Sequence, residues 1–103
     1  MGEYPNGQAV TDSLAATGAG TSFQGVQGRA VFLSITGTWV GTVKVQRSHD
    51  GGTSWNDMTA GGSAWASFTA NCDEVVDEAA HSGLLYRAYF TRSSGTAVCR
   101  LGH

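Results

Sequence analysis

The chain has 103 residues, a formal net charge of −2 and only 14% charged residues, and these values exclude several classes of protein. The length suits one domain, and the weak negative charge excludes the basic face of a nucleic-acid-binding protein. No apolar run approaches the ~20 residues of a membrane span, and residues 1–5 lack the features of a signal peptide. We therefore expect a domain that is synthesised in a cytoplasm and largely covered by partners, because so little charge leaves an adhesive surface.

The first segment, residues 1–22, is poor in large apolar side chains and closes on Gly18-Ala19-Gly20-Thr21-Ser22. Such a segment does not bury enough apolar surface to fold alone. It predicts an extended N-terminal arm over residues 1–22 that becomes ordered against a neighbour, or else a frayed terminus. The folded domain is then expected over residues 23–103.

From residue 23 onward, short alternating segments lie between glycines, and alternation is typical of half-buried strands. Val31, Leu33 and Ile35 share one face of a first strand, and Val43 and Val45 share one face of a second. A break at Gly37 is expected to separate the two strands. Further strands are predicted over 54–59, 63–70, 84–91 and 96–101, with turns at 50–52, 61–62 and 93–95.

Residues 72–80 fit two templates. The apolar positions follow a helical spacing, and Asn71 is a suitable helix cap; these positions are Cys72, Val75, Val76, Ala79 and Ala80. The β-branched Val75-Val76 pair instead favours a strand. We favour an edge strand whose acidic residues discourage edge-to-edge pairing, with one helical turn as the alternative.

Together these segments predict an all-β fold: a single antiparallel β-sandwich or small barrel of seven or eight short strands with an extended arm. Cys72 and Cys99 are expected to remain free thiols, because cytosolic proteins seldom form disulfides.

One short motif is specific. Residues 48–55 read Ser-His-Asp-Gly-Gly-Thr-Ser-Trp and resemble the Asp-box, a β-hairpin signature of sialidases and other β proteins. The glycines tolerate the positive φ of a tight turn, and the Asp and Ser side chains are able to hydrogen-bond the backbone of the turn. The pattern predicts a structural hairpin formed by Ser48, Asp50, Gly52, Ser54 and Trp55.

Catalysis is not indicated by any group of residues. Ser48-His49-Asp50 contains the residue types of a triad, but adjacent residues point in different directions and do not form the required chain of hydrogen bonds. His49, His81 and His103 lack the spacing of a helix-borne zinc site. We expect no enzymatic activity, no metal and no cofactor.

Half of the acidic residues are concentrated in residues 73–78, whereas the basic residues are scattered over predicted strands. A calcium site is one reading of the acids, but the alternating ligands of an EF-hand are missing. We favour an acidic edge that faces a basic surface on another protein or another copy, and Arg47, Arg87 and Arg100 are candidates for a ladder on one sheet face. Scattered solubilising charge is the alternative. The candidate interface residues are Tyr4, Arg47, Trp65, Asp73, Glu74, Asp77, Glu78, Arg87 and Arg100.

Three tryptophans are many for this length. Trp39 at a strand start and Trp55 in the hairpin are expected to cover the core. Trp65 has no such role, which leaves it free for an interface or for stacking on a sugar, as in carbohydrate-binding modules.

A broader resemblance covers roughly residues 30–101. The run from Ile35 to Ser48 leading into Asp50-Gly51-Gly52 resembles small virion proteins of tailed bacteriophages. So do Leu85-Tyr86-Arg87 and the run over residues 94–101. The two cysteines and the arm depart from that family. The resemblance implies a β-sandwich structural protein of a phage head, neck or tail, and implies no catalytic residues.

We therefore expect a protein of the bacteriophage virion that is made in the host cytoplasm, and we favour a capsid decoration (cement) protein. Its expected partners are the major capsid protein, other virion proteins and further copies of itself, with no nucleic acid and no membrane. The alternatives are a neck, tail or fibre-base protein and a carbohydrate-binding adhesion module.

Overall fold

The computed structural model describes residues 9–80 and 83–103, and every regular element within them is a β-strand. Eight strands form one antiparallel sheet, and two short strands form a second, separate sheet. The predicted all-β antiparallel fold is therefore confirmed. The strands are β1 (Ala9–Leu14), β2 (Gly18–Ala19), β3 (Phe23–Gln24), β4 (Ala30–Ser48), β5 (Asn56–Asp57), β6 (Thr59–Ala60), β7 (Ser63–Ala64), β8 (Ser67–Phe68), β9 (Cys72–Glu78) and β10 (Leu85–Gly102).

Two long strands, β4 and β10, organise the fold. They pair antiparallel along almost their whole length, from Leu85 opposite Ser48 to Gly102 opposite Phe32. The prediction that each is two shorter strands was wrong. A β-bulge between Arg92 and Ser94 absorbs the residues that we expected to form a turn, so the pairing continues through them.

The ribbon folds over, because Arg47 near the end of β4 lies 3.0 Å from Asp77, which pairs with Val31 near the start of β4. The two strands approach closely at two glycines near the middle. Gly95 has φ +78°, and a Cβ there would lie 2.2 Å from the Thr38 carbonyl oxygen. Gly41 has φ +145°, and a Cβ there would lie 2.2 Å from the Thr91 carbonyl oxygen. Only glycine fits both positions. The ribbon bends where the sequence analysis placed breaks, but the chain remains paired.

The bend divides the sheet into two halves that share one core, as in a β-sandwich. In one half β1, the end of β10, the start of β4 and β9 lie side by side. In the other half β2 and β3 flank β10, while β5 and β8 flank β4. The inward faces of both halves are buried, as the alternation predicted, and contribute Val31, Leu33, Ile35, Val43, Val45, Tyr86, Ala88, Phe90, Ala97, Cys99 and Leu101.

A polar link and a ring contact secure the bend. The Trp39 indole donates to Asn71 Oδ1 at 2.7 Å, and Asn71 Nδ2 donates to the Gly37 carbonyl at 3.1 Å. The Trp39 ring meets Phe90 edge-on, with centroids 5.6 Å apart. The predicted role of Trp39 as a cover over the core is thus observed.

The N-terminal segment is integrated into the sheet as far as it is described. β1 pairs with β10 from Ala9 opposite Gly102 to Leu14 opposite Ala97. Asp12 accepts hydrogen bonds from the Thr21 N–H and hydroxyl, both at 2.8 Å. The boundary expected at residue 22 therefore falls inside the sheet, and residues 1–8 lie outside the described residues.

The segment that fitted two templates is a strand. β9 pairs with β4 from Cys72 to Glu78, with a register shift at Val76. Val76 is buried, while Val75 is 49% exposed. Residues 63–70 are not one strand, because Ala66 has φ +52° and separates β7 from β8.

The two cysteines do not meet. Cys72 on β9 and Cys99 on β10 both lie opposite Ile35, one on each side of β4. Two strand spacings, about 9.6 Å, exceed the Cα separation that a disulfide spans. Both thiols are free, and burial raises the pKa of Cys99 to about 11.

Candidate interaction surface

The hairpin at residues 48–55 has the geometry that its sequence predicts. Asp50 Oδ1 accepts from the Ser48 hydroxyl at 2.8 Å and from the Ser54 N–H at 2.9 Å, while Asp50 Oδ2 accepts from the Ser54 hydroxyl. Ser48 Oγ accepts from the Gly52 N–H at 2.9 Å, and the Trp55 indole donates to the Gly52 carbonyl at 3.1 Å. All five predicted hairpin residues are therefore brought together.

The electrostatics of the hairpin follow from these bonds. Hydrogen bonds from the Ser54 hydroxyl, then from the Ser54 N–H and then from the Ser48 hydroxyl together lower the pKa of Asp50 to about 2. Both oxygens of the Asp50 carboxylate accept hydrogen bonds within the turn. This is the bonding of a structural carboxylate and not of one positioned for acid–base chemistry. The motif positions the chain and supplies structure.

A polar network covers the outer face beside the hairpin. The Arg87 guanidinium lies 4.4 Å from the centroid of the Trp55 ring and donates to Gln46 Oε1 at 2.8 Å. Gln46 and Lys44 both donate to Asp57, at 3.0 Å and 3.2 Å. Arg87 is thus used within the domain, and one face of Trp55 is covered by a cation.

Arg47 and Asp77, both expected at an interface, instead pair with each other. The Arg47 guanidinium lies 3.0 Å from Asp77 Oδ2, and the Tyr86 hydroxyl donates to the same oxygen at 2.8 Å. Burial, and then the bond to Asp77, raises the pKa of the Tyr86 phenol. Because Arg47 ends β4 while Asp77 pairs with the start of β4, this cluster ties the two halves of the sheet together.

The predicted arginine ladder does not form. Arg87 lies opposite Gln46 on the outer face, whereas Arg47 lies opposite the buried Tyr86. Arg100 is exposed in the other half of β10, opposite Ser34. Strand alternation places Arg47 and Arg87 on opposite faces, and the bend in the ribbon separates Arg87 from Arg100.

The acidic edge is observed at β9. Asp73, Glu74 and Glu78 are exposed on this strand, which pairs with β4 alone in the described part of the chain. A cluster of three or more metal-ligating His, Cys, Asp or Glu side chains is not found among residues 9–80 and 83–103.

A groove of about 310 Å³ lies beside β9, and we call it the β9 groove. The Trp65 indole spans one part of it and donates to the Val76 carbonyl at 2.8 Å. Trp65 is 50% exposed, so the prediction that it is left free by the core is consistent with its position. The lining is mainly apolar and consists of Ala64, Trp65, Ala66, Ser67, Phe68, Glu74, Val75 and Val76.

Known proteins provide no guide to this surface. Comparisons with family models, curated proteins and solved structures found no match. In the described part of the chain, no helix has the length and apolar character needed to cross a membrane.

Two residues of this surface were missed from the sequence. Phe32 and Val75 lie directly opposite each other on β4 and β9, and they are 44% and 49% exposed. The signal for Phe32 was present, because an aromatic residue between buried Val31 and Leu33 must face outward in a strand. Of the predicted interface residues, Tyr4 lies outside the described residues.

Proposed function

We propose that this protein is a structural component of a bacteriophage virion, namely a capsid decoration protein that binds the assembled shell. One observation carries the proposal: a largely apolar groove and the exposed side chains of Phe32, Trp65 and Val75 lie on or beside the acidic edge strand of a β-sheet domain. Exposed apolar surface of this kind is typical of sites for protein partners. The sequence resemblance to small virion proteins supports a role in the virion.

The mechanism is binding linkage. A protein that binds the closed shell and not its separated subunits lowers the free energy of the closed shell with each copy bound. Neighbouring capsid subunits, other virion proteins or adjacent copies are the proposed contacts. The segment that we first expected to make these contacts is part of the protein's own sheet over residues 9–14, so the proposed contact surface moves to the β9 groove.

A shell-stability measurement tests this proposal. Purified protein is added to shells from virions of its source that lack it, and the temperature of genome release is measured with a DNA-binding dye. We expect co-sedimentation with the shells and a higher release temperature that saturates with added protein. Absence of both effects at saturating concentration would contradict the proposal.

One observation favours a second candidate, a carbohydrate-binding module: Trp65 presents a half-exposed ring next to Glu74 and Ser67. In that case Trp65→Ala would abolish binding to a glycan array, and wild-type protein would bind it. The apolar majority of the lining favours a protein partner, because sugar hydroxyls need polar partners when they are buried.

A further inference from the structure

The free edge of β9 is open to strand addition. Both the outward-facing Val75 and the inward-facing Val76 line the β9 groove, so the groove runs along the edge of the strand and not over one face. In the described part of the chain, only β4 pairs with β9. The Val76 carbonyl already accepts from the Trp65 indole. The other backbone groups on the outer side of an edge strand are presented to any extended segment that reaches it.

The groove supplies side-chain contacts along that edge. Residues 64–68 form its other wall, with Trp65 and Phe68 contributing aromatic surface opposite Val75. Since alternate side chains of a strand point to opposite faces, an added strand would place every second side chain against this wall. Apolar side chains at those positions would be removed from water.

The carboxylates of β9 favour basic side chains at the other positions of an added strand. Asp73, Glu74 and Glu78 are exposed on β9, and Glu74 is the charged side chain among the described residues that line the groove. A second copy adding its own β9 would place acids against acids, which is unfavourable across a strand pair. Lysine or arginine on the added strand would instead complement these carboxylates.

We propose that the β9 groove binds an extended segment of another virion protein, in which apolar residues alternate with lysine or arginine, by adding it as a strand to β9. This inference rests on the proposed function, and it specifies the chemistry of the partner. The acids of β9 then have two effects: they prevent self-pairing and they favour a basic strand.

Matched valine variants test the surface. Val75→Lys places a cation in the groove, whereas Val40→Lys makes the same change at another exposed position, the bend of β4, where Val40 is 59% exposed. Glu74→Lys reverses the charge at the groove. Binding of each variant to purified shells is measured by co-sedimentation, and the melting temperature of each free variant shows that it is folded.

We expect Val75→Lys and Glu74→Lys to weaken shell binding at least tenfold, while Val40→Lys binds like the wild type. If the wild type binds and both groove variants bind equally well, the inference is overturned and the proposed function stands. If the wild type does not bind shells at all, both are overturned.

A photo-crosslinking residue at position 75 identifies the occupant directly. We expect the crosslinked peptide to come from another virion protein and to contain lysine or arginine among apolar residues. A crosslink to a second copy of this chain, or to a glycan, would overturn the proposal.

Discussion

At the scale of single residues, two clusters of hydrogen bonds stabilise the fold, and they differ in the sequence separation of their members. The Ser48–Asp50–Ser54 cluster is local, because its members lie within a few residues of one another. The Arg47–Asp77–Tyr86 cluster joins strands that are distant in sequence. The first sets the conformation of one turn, and the second holds the two halves of the sheet together.

Because of the Ser48–Asp50–Ser54 cluster, we expect the free energy of unfolding to depend on pH. The folded pKa of Asp50, about 2, lies below its ordinary value of 3.8. The stabilisation is therefore fully present above pH 4 and is lost as the pH falls from about 4 to about 2. Urea denaturation should show that Asp50→Asn is less stable than the wild type at pH 7, with a difference that narrows towards pH 2. A difference that stays constant over this range would contradict the assignment.

We expect the loss of the Arg47–Asp77–Tyr86 cluster to destabilise the fold more than the loss of an exposed ion pair. Asp77→Ala leaves the partly buried Arg47 and Tyr86 without their shared acceptor and should lower the free energy of unfolding by about 2 kcal/mol. Asp57→Ala is the matched control, because its pair with Lys44 is 40% and 48% exposed; it should cost about 0.5 kcal/mol. Chemical denaturation of both variants measures the difference, and equal losses would show that Asp77 does not join the two halves.

At the scale of elements, the bent β4–β10 ribbon determines which residues meet. Its glycines allow two strands to fold over one core without interrupting their pairing. The same bend separates Arg87 from Arg100 and brings residues 64–68 beside β9.

Substitutions at glycine measure the importance of the bend. Gly95→Ala should lower the free energy of unfolding by more than about 2 kcal/mol, because it combines a positive φ with a clash against the Thr38 carbonyl. Gly61→Ala is the control: it has φ +61° with no heavy atom within 4 Å of the added Cβ, so only the cost of about 1 kcal/mol for the positive φ applies. Thermal or urea unfolding compares the two, and a Gly95→Ala variant no weaker than Gly61→Ala would contradict the close approach.

Sequence reasoning predicted local features well and distant contacts poorly. Alternation placed Val31, Leu33 and Val45 on inward faces, and the turn chemistry of residues 48–55 produced the observed hairpin. It could not predict the Arg47–Asp77 pair or the β9 groove. Both depend on the bend and the bulge, whose effects on pairing are set by contacts between strands and not by the residues of one strand.

At the scale of the whole molecule, the domain combines a buried core with an exposed, partly apolar surface at the β9 edge. Its core, hairpin and bend are held by internal contacts, whereas the edge of β9 combines exposed acids with exposed apolar side chains. A structural protein bound to a larger assembly needs a surface that a partner covers.

The copy number of this protein in purified virions of its source tests the central claim most directly. Quantitative mass spectrometry would compare it with the major capsid protein. We predict hundreds of copies in a simple ratio to the capsid subunits. About a dozen copies or fewer would move the protein to the neck, tail or fibre base, and its absence from virions would contradict the account.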